Sequence, residues 1–394
     1  MTFKKAIGKL HLWLGFTSGL VVVFLGITGC LLAFQKEIEL LTVPYQFVAK
    51  QDKPFLAPSE IKKITDRTLP DKIVHGIAYG GPDKAIVASF YSLDYYYLMY
   101  INPYTGEVLK TKNMADDFFR IVINGHFYLW LPPDIGQPVV ASATLIFVVM
   151  MITGLILWWP KNKSAAKQRF TIKWNAKWRR MNYDLHNVLG FYMTWIAMII
   201  AATGLVFGFQ WFAKSVYWVT SGGKQMTAFY MPVSDQLVNP TLDAPAIDIL
   251  WTRMSKEYPS AKVLEVHVPE SDSAAIEVAA NPDDDTYWQA DYRYFDQYTL
   301  SEIPVTHVYG KLENATAADK IARMNYDIHV GAVAGLPGKI MAFIASLICA
   351  SLPVTGVYIW WGRRKKQKNK VQKESAVYQP EKRVSAKRVK VMAR

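Results

Sequence analysis

Four long apolar stretches constrain the fold of this chain more than any other feature of its sequence. They cover roughly residues 12–34, 138–160, 188–210 and 338–361 of 394. Each reaches the length of about 20 residues that a helix needs to cross a bilayer. Two long segments of mixed polarity lie between them. The sequence therefore predicts an α-helical membrane protein with four transmembrane helices and two large segments outside the membrane.

The basic residues indicate how these helices are oriented. A net charge of +13 would suit a nucleic-acid binder, but Lys and Arg are concentrated in residues 1–9, 161–180 and 362–394, beside the apolar stretches. Such clusters mark the cytoplasmic side of a membrane protein. We therefore expect both termini in the cytoplasm and both long segments on the outer side of the membrane. Membrane lipid is then an expected partner, and nucleic acid is not.

The cysteines exclude two kinds of site. Cys30 and Cys349 both lie in apolar stretches, so the chain has neither a disulfide framework nor a Cys-x-x-Cys-His site for covalent haem. Residues 27–30 resemble a lipoprotein cleavage site. The apolar run before them is long for a signal peptide, and its Thr-Gly pair recurs in the other three apolar stretches. We therefore expect this segment to be a retained span.

An internal repeat divides the chain into two halves. Three features of the first apolar stretch recur 175 positions later in the third, namely a histidine, a Gly-Phe pair four residues after it, and a Thr-Gly pair at residues 28–29 and 203–204. The second and fourth stretches share Thr-Gly followed by Trp-Trp. Each half is therefore predicted to consist of one membrane span, an outer module and a second membrane span. Two halves that run the same way predict a pseudo-two-fold axis along the membrane normal.

The outer segments have a mixed α+β pattern. Helix-like stretches at 58–68 and 244–257 precede alternating runs, such as 84–91 and 274–280, that predict strands. The predicted boundaries are transmembrane helix 1 at 1–34, outer module 1 at 35–125, an interfacial segment with helix 2 at 126–160, a basic cytoplasmic loop at 161–187, helix 3 at 188–211, outer module 2 at 212–328, an interfacial segment with helix 4 at 329–361, and a basic cytoplasmic tail at 362–394.

Four of the seven histidines stand at the start of an apolar stretch or just before it: His11, His126, His186 and His329. Ionisable side chains in or beside a bilayer are costly and tend to be functional. The expected topology pairs His11 with His186 near the inner face and His126 with His329 near the outer face. Two imidazoles on opposite sides of a flat cofactor are typical of haem in electron transfer. Zinc would need three or four ligands at the same depth in the membrane, whereas only two of these histidines are expected near each face.

A heptapeptide shows that these histidines have special neighbours. Residues 180–186 (RMNYDLH) return as 323–329 (RMNYDIH) with one conservative exchange. We interpret the aspartates, Asp184 and Asp327, as helix N-caps. The tyrosines three residues before each histidine either support the ligand or anchor the helix at the membrane interface. Gly15 and Gly190, one turn after a histidine, either leave room for a macrocycle or pack helices closely.

These motifs together resemble the PepSY-associated transmembrane family, which includes inner-membrane ferric-siderophore reductases of the FoxB and PiuB kind. The resemblance rests on His11-Leu12-Trp13-x-Gly15, the Asp-x-His motifs, the Thr-Gly and Trp-Trp pairs, and the Tyr-Thr-Gly-Glu turn at 104–107. It implies a bacterial inner-membrane location, two PepSY-like periplasmic modules, two haems b and reduction of ferric siderophores. The second module has Leu300-Ser301 where the first has Gly106-Glu107, so the two modules need not share one role.

The leading interpretation is thus a di-haem ferric-siderophore reductase whose catalytic residues the sequence does not identify. The alternatives are a quinol-linked cytochrome b subunit that serves a separate periplasmic redox partner, and a PepSY-type binding or inhibitory envelope protein. The inner segments lack a G-x-G-x-x-G loop, so we expect electrons from quinol or a separate reductase. We expect siderophore recognition by shape and aromatic contacts, and we assign no function to His75, His267 and His307.

Overall fold

The computed structural model describes residues 2–160, 162–163, 166, 168–235 and 242–377. In these ranges the longer helices are α1 (Phe3–Ala33), α2 (Gln35–Thr42), α3 (Pro58–Thr68), α4 (Phe118–Tyr128), α5 (Pro133–Trp158), α6 (Trp178–Gly208), α7 (Gln210–Thr220), α8 (Ala246–Glu257), α9 (Ala317–Arg323), α10 (Asn325–His329) and α11 (Gly335–Val377). The strands are β1 (Gly76–Tyr79), β2 (Ile86–Tyr91), β3 (Tyr96–Ile101), β4 (Val108–Asn113), β5 (Val263–His267), β6 (Ile276–Asn281), β7 (Asp291–Phe295) and β8 (Glu302–Ile303).

The four-helix membrane region is confirmed. Among the described residues, four helices are long and apolar enough to cross a bilayer, and they correspond to α1, α5, α6 and α11. Each of the four packs against two others, so that α1 and α6 both contact α5 and α11. Gly26 shows how close this packing is, because a Cβ there would lie 2.7 Å from the carbonyl oxygen of Ser346. Of the predicted tail at 362–394, the part beyond residue 377 lies outside the described residues.

The helix that carries His186 begins earlier than its hydropathy indicates, and this overturns the N-cap interpretation of the aspartates. Asp184 lies inside α6, where its buried carboxylate accepts a hydrogen bond from Nε of Arg180 at 2.9 Å. Asp327 lies inside α10 and accepts hydrogen bonds from the backbone N–H groups of Tyr287 and Trp288 at 3.1 and 3.0 Å. One aspartate therefore stabilises its own helix, and the other ties the helix to the outer segment.

The eight described strands form one antiparallel sheet in the order β4-β3-β2-β1-β5-β6-β7-β8. The chain halves meet at its centre, where Gly76 of β1 pairs with His267 of β5. The structure thus joins the two predicted modules through a shared strand pair. The predicted helices at 58–68 and 244–257 correspond to α3 and α8, and the alternating runs correspond to β2 and β6.

One face of this sheet forms the core outside the membrane. Alternate strand residues point to the same face, and those such as Ile77 and Phe90 pack with Ile61 of α3. In the other half, Val266 and Phe295 pack in the same way with the helix α8. Residues that alternate along the predicted strands therefore lie in turn on the core face of the sheet and on its opposite face.

The sheet is held to one end of the helical bundle, which we call the sheet-proximal end. Nζ of Lys339, at the start of α11, donates hydrogen bonds to Glu37 at 2.8 Å and to Asp285 at 2.6 Å. Nζ of Lys36 donates to the carbonyl oxygen of Asp284 at 2.7 Å. The opposite end of the bundle, where α1 and α6 begin, is the sheet-distal end.

The turn that differs between the halves keeps its conformation. Gly106 and Leu300 both have positive φ, 74° and 57°. Their N–H groups donate to the carbonyl oxygens of Asn102 and Asp296, each at 2.9 Å. The leucine therefore adopts a left-handed conformation that favours glycine, because the surrounding hydrogen bonds fix the turn.

Candidate cofactor site

Two of the four histidines meet at the sheet-proximal end. His126 lies on α4 and His329 on α10, and their ring centroids are 6.3 Å apart with an interplanar angle of 70°. Both helices are short and precede a span. Burial lowers the pKa of His126 to about 3 and that of His329 to about 4. Both rings are therefore neutral near pH 7, which is the form that binds a metal ion.

The other two histidines share a cavity at the sheet-distal end. His11 of α1 and His186 of α6 line a cavity of about 810 Å³ between the spans. This volume lies within the range of about 300–1,000 Å³ that is typical of small-molecule sites. Gly15, Gly19 and Gly190 line it as well. A Cβ on Gly15 would lie 3.2 Å from Cε of Met150, and one on Gly19 would lie 3.2 Å from Cβ of Pro353, so both glycines also allow close packing. Basic residues at the cavity are Lys4, Lys5, Lys9, Arg169 and Arg363.

Every one of the four histidines is held by a threonine. The Nδ1–Oγ1 distances are 2.9 Å for His11 and Thr153, 2.8 Å for His126 and Thr28, 2.9 Å for His186 and Thr355, and 2.9 Å for His329 and Thr203. Each bond joins residues of one half of the chain. The threonines are those of the recurrent Thr-Gly pairs, so the motif that marks the repeat also has a structural role.

The hydrogen bonds determine which ring nitrogen carries the proton. Nδ1 of His329 also lies 3.0 Å from the carbonyl oxygen of Ile200, which only accepts hydrogen bonds, so this nitrogen is the donor. The threonine hydroxyls donate to carbonyl oxygens of their own helices, as Thr153 does to Met150 at 3.0 Å. They therefore accept from Nδ1–H. No described residue hydrogen-bonds Nε2 of these four rings, so each Nε2 lone pair is free to bind a metal ion.

The glycine after each threonine lies beside the ring of the histidine that the threonine holds. A Cβ on Gly204 would lie 3.3 Å from Cε1 of His329, and one on Gly356 would lie 3.4 Å from Cε1 of His186. A Cβ on Gly154 would lie 3.5 Å from Cε1 of His11, and one on Gly29 would lie 3.7 Å from Cε1 of His126, which are ordinary contacts. The Thr-Gly pair thus provides a hydrogen-bond acceptor for the histidine and a residue without a side chain beside the histidine ring. These threonines are not predicted from the sequence as part of the site. The recurrence of the Thr-Gly pair in all four apolar stretches is the sequence feature that marks them.

A comparison with known families covers both histidine pairs. The model of the PepSY-associated TM region matches residues 9–363. The chain belongs to this family. A search of the curated proteins finds no match to it. Membership identifies a membrane protein, and the matched segment of this PepSY-associated protein includes all four histidines and all four threonines.

The repeated heptapeptide of the PepSY-associated protein supplies a further contact. Nδ2 of Asn182 donates to the carbonyl oxygen of Thr355 at 3.1 Å, and Nδ2 of Asn325 donates to that of Thr203 at 3.2 Å. Each asparagine precedes its histidine by four residues and therefore lies on the same helical face. It binds the backbone of the same threonine that holds the histidine. Asparagine and histidine thus fix one threonine from two sides.

The tyrosines of the heptapeptide do not contact the histidines through hydrogen bonds among the described residues. Tyr183 lines the sheet-distal cavity. Tyr326 packs edge-on against Tyr287 of the outer segment, with ring centroids 5.5 Å apart. Tyr183 therefore borders the space beside His186, and Tyr326 connects the helix of His329 to the sheet.

Both sites of the PepSY-associated protein fit haem. A metal bound at about 2 Å by an imidazole on each side places the ring centres roughly 6 Å apart, and the rings of His126 and His329 are 6.3 Å apart. The sheet-distal cavity provides two histidines and basic side chains that suit the carboxylates of a haem. Among the described residues, no group of three or more His, Cys, Asp or Glu is arranged to hold a metal ion. Two ligands at each site suit haem and not zinc.

Proposed function

We propose that the protein is a di-haem transmembrane electron-transfer protein that reduces ferric siderophores on the periplasmic face and releases ferrous iron. The observation that supports it is the set of four histidines with Nδ1–H held by threonine and Nε2 free. His11 and His186 would hold one haem b, and His126 and His329 the other. Haem, when bound, supplies one-electron transfer.

The surrounding residues prepare the histidines for this role. A threonine that accepts from Nδ1–H fixes the tautomer and the ring orientation and makes Nε2 a stronger ligand. Asn182 and Asn325 hold two of these threonines in place. A haem held by two histidines at each site would pass electrons without binding a further ligand.

The distance between the two sites supports transfer across the membrane. A helix rises about 1.5 Å per residue, so His11 and Thr28 of α1 lie about 25 Å apart along its axis. His186 and Thr203 have the same separation on α6. The hydrocarbon core of a bilayer is about 30 Å thick. The two histidine pairs would therefore lie near its opposite edges.

The orientation follows from the basic residues. The sheet-distal end carries the basic loop and the start of α1, so it would face the cytoplasm, and the sheet would lie in the periplasm. The two halves would be related by a pseudo-two-fold axis along the membrane normal, as their matching threonine–histidine bonds suggest. The electron donor would be quinol or a separate reductase. One quinol, oxidised to quinone with loss of two protons, provides the electrons for two ferric siderophores.

The test combines a spectrum with a turnover measurement. Purified protein should show the absorption of haem b, and reduced protein should be reoxidised by a ferric hydroxamate while a ferrous chelator traps iron. Reoxidation by a periplasmic redox protein or a quinone, with every ferric siderophore inactive, would favour the cytochrome b subunit. A colourless preparation would favour a binding or inhibitory envelope protein.

A further inference from the structure

The short helix α7 follows directly after a span. The preceding helix α6 contains 31 residues, so it is about 45 Å long, which matches the thickness of a bilayer with its headgroup regions. Phe209 has an extended conformation, with φ of −133° and ψ of 115°, and separates the two helices. The helix α7 therefore begins where α6 leaves the membrane, at the sheet-proximal end.

The first half of the chain has the same arrangement. Phe34 follows α1 and Gln35 begins α2, and both recur 175 positions later as Phe209 and Gln210. The helix α1 also contains 31 residues. In α2, Leu41 is 87% exposed. Each half of the chain thus places a short helix, with apolar side chains exposed, immediately after the span that leads to the sheet.

The two sides of α7 have different surroundings. The hydroxyl of Tyr217 donates a hydrogen bond to Oδ1 of Asp319, on α9, at 2.7 Å, so this side packs against protein. Trp211 and Trp218 are 53% and 56% exposed. They are seven residues apart and therefore lie on one side of the helix, with the exposed Lys214 between them. The helix α7 thus directs two indoles and one ammonium group away from the protein.

Exposed tryptophans lie at both ends of the bundle. Those at the sheet-distal end include Trp13, Trp159 and Trp361, and those at the sheet-proximal end include Trp130, Trp211 and Trp218. By contrast, Trp251 and Trp288, in the outer segments, are partly buried. Tryptophan is enriched at both membrane–water interfaces. The two exposed tryptophans of α7 therefore have the position and the residue type of an interfacial band on the sheet side.

The chemistry of this surface suits the boundary between lipid headgroups and acyl chains. An indole has an apolar body and one polar N–H group, so it is stable where one side is apolar and the other is hydrated. A lysine beside it extends its ammonium group toward lipid phosphates. The surface also continues from a lipid-facing one, because Trp195 and Ile199 are exposed on the membrane-spanning part of α6.

We propose that α7 lies in the headgroup region of the leaflet on the sheet side and binds phospholipid through Trp211, Lys214 and Trp218. The proposal depends on the four spans and not on haem or on a ferric siderophore. The lipid contact also supports a cofactor helix, because α7 is hydrogen-bonded to α9, and one residue separates α9 from α10, which carries His329.

The test measures the depth of a spin label on α7 in vesicles of phosphatidylethanolamine and phosphatidylglycerol. Ser215→Cys, at an exposed position between the two tryptophans, carries the label and leaves both indoles in place. Leu93→Cys, in a fully exposed loop between β2 and β3, is the aqueous reference, and Ile199→Cys, on the exposed side of α6, is the membrane reference. Cys30 and Cys349 are buried, so the labelled parent gives the background.

Power saturation compares collisions of the label with oxygen, which dissolves in the bilayer, and with a water-soluble nickel chelate. The label at residue 215 should collide with nickel severalfold less than the label at residue 93, and with oxygen less than the label at residue 199. Nickel collisions as frequent as at residue 93 would place α7 in water and overturn the proposal. Shielding from both reagents would mean that a second copy of the chain covers the helix, and would overturn it too.

The role of the indoles is tested with the same label. Trp211→Gln combined with Trp218→Gln should raise the nickel collisions at residue 215 toward the value at residue 93. Trp361→Gln, which changes an exposed tryptophan at the sheet-distal end, should leave them unchanged. An unchanged label depth in the Trp211→Gln and Trp218→Gln protein would refute the binding of lipid through these side chains.

Discussion

The rings of His126 and His329 lie close together at the sheet-proximal end of the bundle, with centroids 6.3 Å apart and ring planes at 70°. Each stands on a short helix that ends before the next span begins. After His126 the chain turns through Leu129 and Trp130, both with positive φ, and after His329 it turns at Gly331 with φ of 82°. These breaks let each ring point to the bundle interior, while a threonine on a neighbouring span fixes its rotation.

The threonine at each ring should contribute to cofactor affinity. Thr28→Val removes the acceptor of the His126 Nδ1–H while it preserves the side-chain shape. Loss of such a contact costs about 10–100-fold in metal affinity. Haem titration into apo-protein should show this loss at one of two sites. Thr17→Val, on the exposed side of the same helix, is the control, and equal affinities in the two variants would contradict the role of Thr28.

Of the four glycines beside the histidine rings, Gly204 should tolerate a side chain least. In Gly204→Ala the new Cβ would lie 3.3 Å from Cε1 of His329, so the ring must shift by a few tenths of an ångström. We expect weaker haem binding at the sheet-proximal site and an altered spectrum. Gly362→Ala, whose new Cβ would have no atom within 4 Å of it, should leave both sites intact. A Gly204→Ala spectrum identical to that of the parent would refute the close-approach role.

Glu277 should destabilise the fold at pH values above the ordinary pKa of a glutamate side chain. Burial raises its pKa, so the folded chain binds this proton more tightly than the unfolded chain, and stability falls as pH rises from the unfolded pKa through the folded one. Glu277→Gln should therefore increase the free energy of unfolding at pH 8 by about 1 kcal/mol, which raises the midpoint of thermal unfolding. The substitution should have little effect at pH 4. A thermal melt at both values tests this, with Glu107→Gln as control. A lower midpoint for Glu277→Gln at pH 8 would be the opposite result.

The orientation has its own test. Cys30 and Cys349 are buried, so a new exposed cysteine is the reactive thiol. Asp94→Cys, at a loop of the sheet, should react with a membrane-impermeant maleimide in intact spheroplasts. Lys163→Cys, at the sheet-distal end, should react only after permeabilisation. The reverse pattern would place the sheet in the cytoplasm.

Much of the architecture can be predicted from local patterns. Each span is a continuous apolar run, and the histidines stand out because they occupy equivalent places in a repeated sequence. The alternation at 84–91 reflects a buried core face and a more exposed second face, whereas residues 276–280 in the second run are buried on both faces. These features are patterns of residue types along the chain, so the sequence alone suffices to predict them.

The contacts that define the site depend on residues far apart in the chain. His11 and Thr153 are separated by 142 positions, and no pattern along one helix shows that their side chains meet. The pairing of β1 with β5, which joins the halves into one sheet, is likewise a tertiary contact. The polar start of α6 suggests an N-cap at Asp184, and the buried bond to Arg180 becomes visible only with the helix in place.

The cofactor count tests the central proposal most directly. The parent protein should contain two non-covalent haems b per chain, as measured by pyridine haemochrome and protein assay. His11→Ala combined with His186→Ala should leave one, and His126→Ala combined with His329→Ala should leave the other. The mixed pair His11→Ala with His126→Ala should disrupt both. A parent with fewer than two haems, or same-end double variants that lose both in a folded protein, would contradict the assignment of one haem to each end of the bundle.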